Sequence, residues 1–275
     1  MSTPPVSTSP GAPLGTPKIR IRGLHKAFGS KIVLDGVDLD VEAGTSMVII
    51  GGSGSGKSVL LRCILGLIEP DAGTIEIDGE NLLTASRSRQ DALRRQIGML
   101  FQNAALFDSM SVGENVAFGI RAKHSDRNGA TPSRAQALQM AGDLLKQVGL
   151  DPSVGDLSPS ELSGGMQKRV GLARAIAGNP NIMFFDEPTT GLDPIMGAVI
   201  DGLIVDCVQK LGSTAIAITH DMASAQRIGN RAAMLYRGKL IWQGEASELM
   251  NSGNAMVDQF THGRREGPIT MELRK

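Results

Sequence analysis

The run Gly51-Gly52-Ser53-Gly54-Ser55-Gly56-Lys57-Ser58 holds the residue types that grip a phosphate. Glycines let a backbone curl until successive N–H groups point inward at an anion, and a helix starting there adds its positive dipole end. In this spacing Lys57 would reach the β- and γ-phosphates of a nucleotide, and the Ser58 hydroxyl would ligate Mg²⁺. The plain alternative is a flexible glycine–serine turn. Chance supplies only about 0.02 such matches in a chain of this length. The flanks decide the matter, with apolar Ser46-Met47-Val48-Ile49-Ile50 before the run and Val59-Leu60-Leu61 after it.

Two carboxylates stand at the end of another apolar run, Ile182-Met183-Phe184-Phe185-Asp186-Glu187. Asp186 can hold Mg²⁺ through water, and Glu187 can orient or deprotonate an attacking water. Alone, such a pair would more often cap a helix. Leu162-Ser163-Gly164-Gly165-Met166 offers a second anion site, a hydroxyl and bare N–H groups at a helix start. One nucleotide needs one phosphate loop, so a second site suggests sharing between two chains.

The elements that must position these residues follow from hydrophobic pattern. Ser46 to Ile50, Ile182 to Phe185 and Thr214 to Thr219 are continuous apolar runs, the mark of strands buried on both faces of a parallel sheet. Ligands bind beyond the carboxyl ends of such strands, where the candidates fall. Lys18 to Arg22, Val33 to Val41 and Thr74 to Asp78 alternate instead and read as a small antiparallel sheet. Residues 104–178 are more helical. Thr131-Pro132 predicts an N-cap and first turn, with Leu138, Ala141, Leu144, Leu145 and Val148 on one face and Gly149 as the stop. A second helix is predicted from Ser163 to Ala177, closed by Gly178 and Pro180. Ala232 to Gly244 reads as a hairpin turning at Arg237-Gly238. Within the helix expected from Ser163 to Ala177, Lys168-Arg169 reads as a solvated face.

Composition excludes several classes. Lys+Arg and Asp+Glu are 28 each in 275 residues, so no chain-wide basic field exists to hold nucleic acid. No apolar run approaches the roughly 18 residues of a membrane span, which predicts a soluble or peripheral chain. Cys63 and Cys207 lack metal-ligand spacing and read as reduced core thiols. Residues 1–17 are Ser, Thr, Pro and Gly with little apolar surface, a composition that predicts disorder. They lack the basic start and apolar stretch of an export signal.

Taken in order, the phosphate loop, Leu-Ser-Gly-Gly, Phe-Phe-Asp-Glu-Pro, Gly191-Leu192-Asp193 and Thr219-His220-Asp221 resemble the ATPase subunit of ABC transporters. The resemblance spans about residues 18–250. It implies an α/β fold of the P-loop NTPase type, with a mainly parallel core sheet, a small antiparallel β subdomain and a helical subdomain over about 104–178. It also implies that Phe28 stacks on adenine with Val33 packing nearby, and that Gln102 touches Mg²⁺ and the attacking water. By the same resemblance Asp193 lies in the loop joining two copies, and His220 contacts the γ-phosphate. ATP and Mg²⁺ are the implied cofactors. Met166 stands where the signature usually has Gln, with Gln167 one place later, and ATP binding should survive because Ser163, Gly164 and Gly165 make the phosphate contacts.

Shorter strings narrow the family. The final Met166, the stretch Met99-Leu100-Phe101-Gln102-Asn103-Ala104-Ala105-Leu106-Phe107 with Ser111 to Val116, and the tail Val257-Asp258-Gln259-Phe260 with Gly267-Pro268 resemble ATPases of Mla-type and Mce-associated phospholipid transporters. In ABC ATPases the stretch after the glutamine shapes the groove for the permease's coupling helix. The resemblance implies a homodimer on the cytoplasmic side of the inner membrane, bound to two permease subunits. A periplasmic Mce-domain lipid-binding protein and a STAS-domain protein are further implied partners. Residues 251–275 form a tail that either packs on its own domain or reaches a neighbour. An importer of amino acids or another small solute would carry the same ATP motifs. A non-transport relative in DNA repair or translation fits poorly, because the chain has one phosphate loop and no long heptad stretch.

Overall fold

The computed structural model describes residues 17–124 and 131–270. Residues 1–16 of the segment expected to be disordered, and 271–275 of the tail, lie outside the described residues. The chain runs β1 (Ile19–Phe28), β2 (Lys31–Val41), β3 (Ser46–Ile50), α1 (Lys57–Ile64), β4 (Ala72–Ile77) and β5 (Glu80–Asn81). Then follow α2 (Arg87–Arg94), β6 (Ile97–Leu100), α3 (Val112–His124), α4 (Arg134–Gln147) and α5 (Gly164–Ile176). After these come β7 (Ile182–Asp186), α6 (Pro194–Leu211), β8 (Thr214–Ile218), α7 (Met222–Ile228), β9 (Arg231–Tyr236), β10 (Lys239–Glu245) and α8 (Ala255–Thr261). Two compact units result, one from residues 17–85 and 217–270 and one from 86–216.

In the first unit the alternating strands make a four-stranded sheet of order β2-β1-β4-β5. Its registers are antiparallel, Ile19 opposite Val41 and Ile77. Ile19, Ile21, Leu34, Leu39, Ile75 and Ile77 are buried while Arg20, Arg22 and Asp40 stay at the surface, the two-sided character that period-2 patterning dictates. All five residues of β3 are buried, and β3 runs parallel to β9, Met47 opposite Arg231 and Ile50 opposite Met234. β9 turns into β10 through Arg237 at φ 47° and Gly238 at φ 79°, the double left-handed geometry of a type I′ hairpin. The tail's α8 is seated on this unit. Val257 is fully buried, Asn254 caps the helix, and Gln259 ties down Arg264 and Ile269 through their backbones.

In the second unit β8-β7-β6 are neighbours, with β6 and β7 parallel from Ile97 opposite Ile182 to Leu100 opposite Phe185. α3, α4 and α5 pack beside them. The buried seam of α4 is Ala137, Ala141, Leu145 and Val148, with Leu138 and Leu144 half-buried on its flanks. The N-cap differs from the sequence expectation. Ser133 takes it, not Thr131, because Ser133 and Gln136 close a reciprocal capping box that satisfies two N–H groups at once. At the end of α5 the left-handed residue is Asn179 at φ 45°, not Gly178. Asparagine tolerates that region better than other residues with a β-carbon.

Candidate nucleotide site

Strand β3 delivers the chain at Ile50 into the loop 51–58, whose shape requires glycine. A methyl group at Gly51, φ 151°, would sit 2.2 Å from the Leu235 carbonyl oxygen. At Gly56, φ 109°, it would sit 2.7 Å from the carbonyl oxygen of Val33. The loop is thus drawn tightly over β9 and β2, and α1 starts at Lys57 with Gly56 as an N-cap that has no side chain to bond the first turn. Gly52, Ser53 and Gly54 cover the open side, and Ser58 and Val59 stand at the start of α1, exposed and half-buried respectively.

Lys57 is 7% exposed, and its ammonium donates to the carbonyl oxygens of Gly51 at 2.6 Å and Gly52 at 3.0 Å. Ser55 Oγ is buried without a hydrogen-bond partner among the described residues. A buried cation folded onto the loop, a buried hydroxyl with unused capacity and uncapped helix N–H groups fit a polyphosphate. The first unit's other candidates lie just after β8, at the end of β1 and on β2. Thr219 N–H reaches the Ile49 carbonyl oxygen at 3.4 Å, which brings the end of β8 beside the end of β3. The exposed His220 follows, and Asp221 caps α7 through Ala223 and Ser224. Phe28 is 50% exposed at the end of β1 with Lys26 Nζ 5.5 Å over its ring, while Val33 is half-buried on β2.

The second unit joins two candidates that lie 85 residues apart. Gln102 Nε2 donates to Glu187 Oε2 at 3.3 Å, and the same oxygen accepts from Thr190 Oγ1 at 3.0 Å. Gln102 is two residues past Leu100, and Glu187 two past Phe185, so parallel pairing of β6 with β7 sets them side by side. Asp186 ends β7, half-buried, and Glu187 follows at φ 45°, a left-handed backbone unusual for glutamate.

Ser163 is the N-cap of α5, its Oγ accepting from Met166 N–H at 3.4 Å. The usual amide is absent at Met166, and Gln167 turns to the carbonyl oxygens of Pro159 and Leu162. Among the described residues no hydrogen bond joins Ser163 to the Gln102–Glu187 pair. Gly164 is exposed, whereas a methyl at Gly165 would lie 3.0 Å from Met196 Cγ. Asp193 is exposed at the start of α6, where its Oδ1 accepts from Ile195 and Met196 N–H at 3.0 Å each.

Lys168 overturns the expectation of a solvated helix face. It is 5% exposed, and its ammonium donates to the carbonyl oxygens of Gln102 and of Glu187, the latter at 3.4 Å. Burial lowers its pKa, and the carboxylates of Asp186 and Glu187 act against that shift. The half-buried Arg169 bonds the Gly149 carbonyl oxygen at 3.2 Å. A signal was present in the sequence, since Lys168, Gly171 and Ala175 fall on one helix face and small residues mark a face that approaches its neighbour closely. Arg174, also missed, donates at 2.7 Å to each of the Ala104 and Ala105 carbonyl oxygens and lies 5.7 Å from the Phe107 ring.

Among the described residues no group of three or more His, Cys, Asp or Glu could hold a metal by itself. In the first unit the Ser58 hydroxyl, and separately in the second the Gln102 amide oxygen and the Asp186 carboxylate, are each an oxygen donor of the kind Mg²⁺ accepts. No described helix is long and apolar enough to cross a membrane.

Known proteins resemble the chain in family and fold. Residues 34–190 match the family described as ABC transporter. The chain is 40% identical to the intermembrane phospholipid transport system ATP-binding protein MlaF of Escherichia coli K12, over 91% of both chains. It is 38% identical to the probable ribonucleotide transport ATP-binding protein mkl of Mycobacterium leprae, over 96% of this chain and 74% of that one. Among solved structures, a dimeric post-hydrolysis state of the ATP-binding cassette MJ0796 bound to ADP and Pi superposes with a TM-score of 0.75 at 30% identity. That match covers 83% of this chain and 98% of the cassette.

Proposed function

The chain belongs to the ABC transporter family, and we propose that it is the ATP-hydrolysing subunit that powers phospholipid transport through a separate membrane permease. ATP hydrolysis follows from the family. The phospholipid cargo rests on the likeness to MlaF along nearly the whole of both chains, together with Met166 in the signature.

The roles follow from chemistry. Loop 51–58 binds the phosphates through its N–H groups and Lys57, with Phe28 and Val33 against the adenine. Ser58, Gln102 and Asp186 would hold Mg²⁺, which would supply positive charge against the phosphate oxygens. Glu187 orients the attacking water and accepts its proton, Gln102 positions that water, and His220 donates toward the γ-phosphate. Two copies work together, Ser163-Gly164-Gly165 of each completing the nucleotide site of the other, with Asp193 at their junction. The dimeric state of the cassette MJ0796 supports this pairing.

A groove of about 520 Å³ in the second unit supports a permease partner. Met99, Phe101, Phe107, Phe118 and Ala122 line it with Arg174. Phe101, Phe107 and Phe118 are each more than a third exposed, and Phe107 packs edge-on against Phe118 at 5.2 Å. Such an apolar trough fits a short amphipathic helix. We further propose that the protein works peripherally, on the cytoplasmic side of the inner membrane, with Mce-domain and STAS-domain proteins completing the assembly. Half-buried Met256 and Phe260 give the tail a surface for that assembly.

The relative named for ribonucleotide transport favours a second reading, an importer of a small solute. One experiment separates the two. Membrane proteins that co-purify with the tagged chain from detergent extracts are identified, reconstituted with it in proteoliposomes and assayed for ATP-driven movement of labelled phospholipid. ATP-dependent movement of the phospholipid supports the first reading, and movement of a labelled ribonucleotide offered in parallel, with none of the phospholipid, supports the second.

A further inference from the structure

Lys168 is the buried cation that the ATPase roles above leave unassigned. Its placement has a structural cause. A methyl group at Gly171 would lie 2.8 Å from Leu100 Cδ1, and one at Gly98 would lie 2.4 Å from the Ala175 carbonyl oxygen. Glycine at both positions lets α5 ride closely on β6. Lys168, one turn before Gly171 on the same face, is thereby carried over the end of β6. Burying an ammonium is costly unless it is paired or fully hydrogen-bonded. Here it meets two backbone oxygens on loops that leave neighbouring strands, Gln102 after β6 and Glu187 after β7.

We propose that Lys168 is a positioning residue for ATP hydrolysis, whose ammonium clamps the Gln102 and Glu187 backbones so that their side chains meet. Two observations besides the contact itself support it. Glu187 holds a left-handed backbone at φ 45°, which a residue with a β-carbon keeps only when its surroundings enforce it. Its carbonyl oxygen accepts from Thr190 N–H at 3.2 Å within the turn and from Lys168 outside it, and the second is a constraint that the turn does not supply by itself. The Gln102–Glu187 side-chain bond of 3.3 Å is also long, so a small shift of either loop would break it. Arg174 performs a related service two turns on, fixing the same loop through Ala104 and Ala105, both at positive φ. The proposal rests on the assignment of Gln102 and Glu187 to ATP hydrolysis.

The test uses the full-length protein in three forms, wild type, Lys168→Met and Lys168→Arg, with Glu187→Gln as a control for the underlying assignment. Met keeps the length and packing of the side chain without its charge. We expect Lys168→Met to lower kcat at least about tenfold while KM for ATP and the melting temperature stay near wild type, the pattern of a lost transition-state arrangement. Lys168→Arg, which keeps a donor, should recover a substantial part of kcat. In a Gln102→Ala background Lys168→Met should cost much less than it does alone, because both changes act on one arrangement. A kcat within about twofold of wild type for Lys168→Met would overturn the proposal. So would a loss that follows the melting temperature and is not relieved by Arg, which would mark a structural lysine. If Glu187→Gln hydrolyses ATP like wild type, the underlying assignment fails instead.

Discussion

Gln102 and Glu187 share a hydrogen bond across 85 residues of chain because each lies two residues beyond a paired position of two parallel strands. Neither residue follows the other in any sequence motif. Their meeting is a property of strand register, and it turns two loop residues into one water-handling unit.

Removal of one half of that unit gives the first expectation. Gln102→Ala should lower kcat by about tenfold or more, roughly 1.4 kcal/mol of transition-state stabilisation, with a smaller change in nucleotide affinity. Steady-state phosphate release alongside binding of a fluorescent ATP analogue reads both. Equal losses of kcat and affinity would point to a general collapse of the site.

The phosphate loop makes a steric demand. Gly51→Ala places a methyl 2.2 Å from a backbone oxygen, and Gly56→Ala one 2.7 Å from another. Neither oxygen can move without disturbing β9 or β2. Nucleotide affinity should fall at least about tenfold in both, and thermal stability by a few degrees, as expected for a strained backbone costing roughly 1–3 kcal/mol. Gly54→Ala meets no atom nearby, although its φ of 73° still strains it, and should be the mildest of the three. A reversed order of severity would contradict the packing described.

Both cysteines are buried, and burial pushes each thiol up to about 11. A raised folded-state value means that the fold favours the neutral thiol. That contribution is complete below the unfolded value near 9 and is lost as pH rises from there through about 11. Neither Cys63 nor Cys207 should react with a thiol reagent at pH 8 until denaturant is added, when both should label. Rapid labelling of either in the native protein would show that the site opens.

Sharing of the nucleotide between copies predicts a variant with a split phenotype. Ser163→Arg removes the N-cap and sets a bulky cation at the start of α5. A single chain should still bind ATP, yet ATP-dependent dimerisation by light scattering should disappear. Dimerisation at the wild-type ATP concentration would leave Ser163 with a local capping role only.

Much of this site could be read from residue order, and the reason is local. The loop 51–58, the strand ending in Asp186-Glu187 and the cap at Ser163 each depend on a few consecutive residues whose chemistry constrains their conformation. The continuous apolar runs became buried parallel strands for the same reason. The burial of Lys168 is not legible from its residue type, because it depends on glycines at positions 98 and 171 that bring a helix and a strand together. Arg174 escaped notice likewise, since its partners are backbone oxygens 69 and 70 residues away. The capping choice between Thr131 and Ser133 turned on Gln136, whose side chain reaches back only to Ser133.

The central claim is that Glu187 drives ATP hydrolysis on a nucleotide held by the loop 51–58. Its most direct test is steady-state phosphate release by the purified chain with Mg²⁺ and ATP, wild type against Glu187→Gln, with nucleotide binding measured on the same samples. The account predicts that Glu187→Gln binds ATP as wild type does and loses turnover by about a hundredfold or more, the scale of a lost general base. Turnover close to wild type in that variant would contradict it.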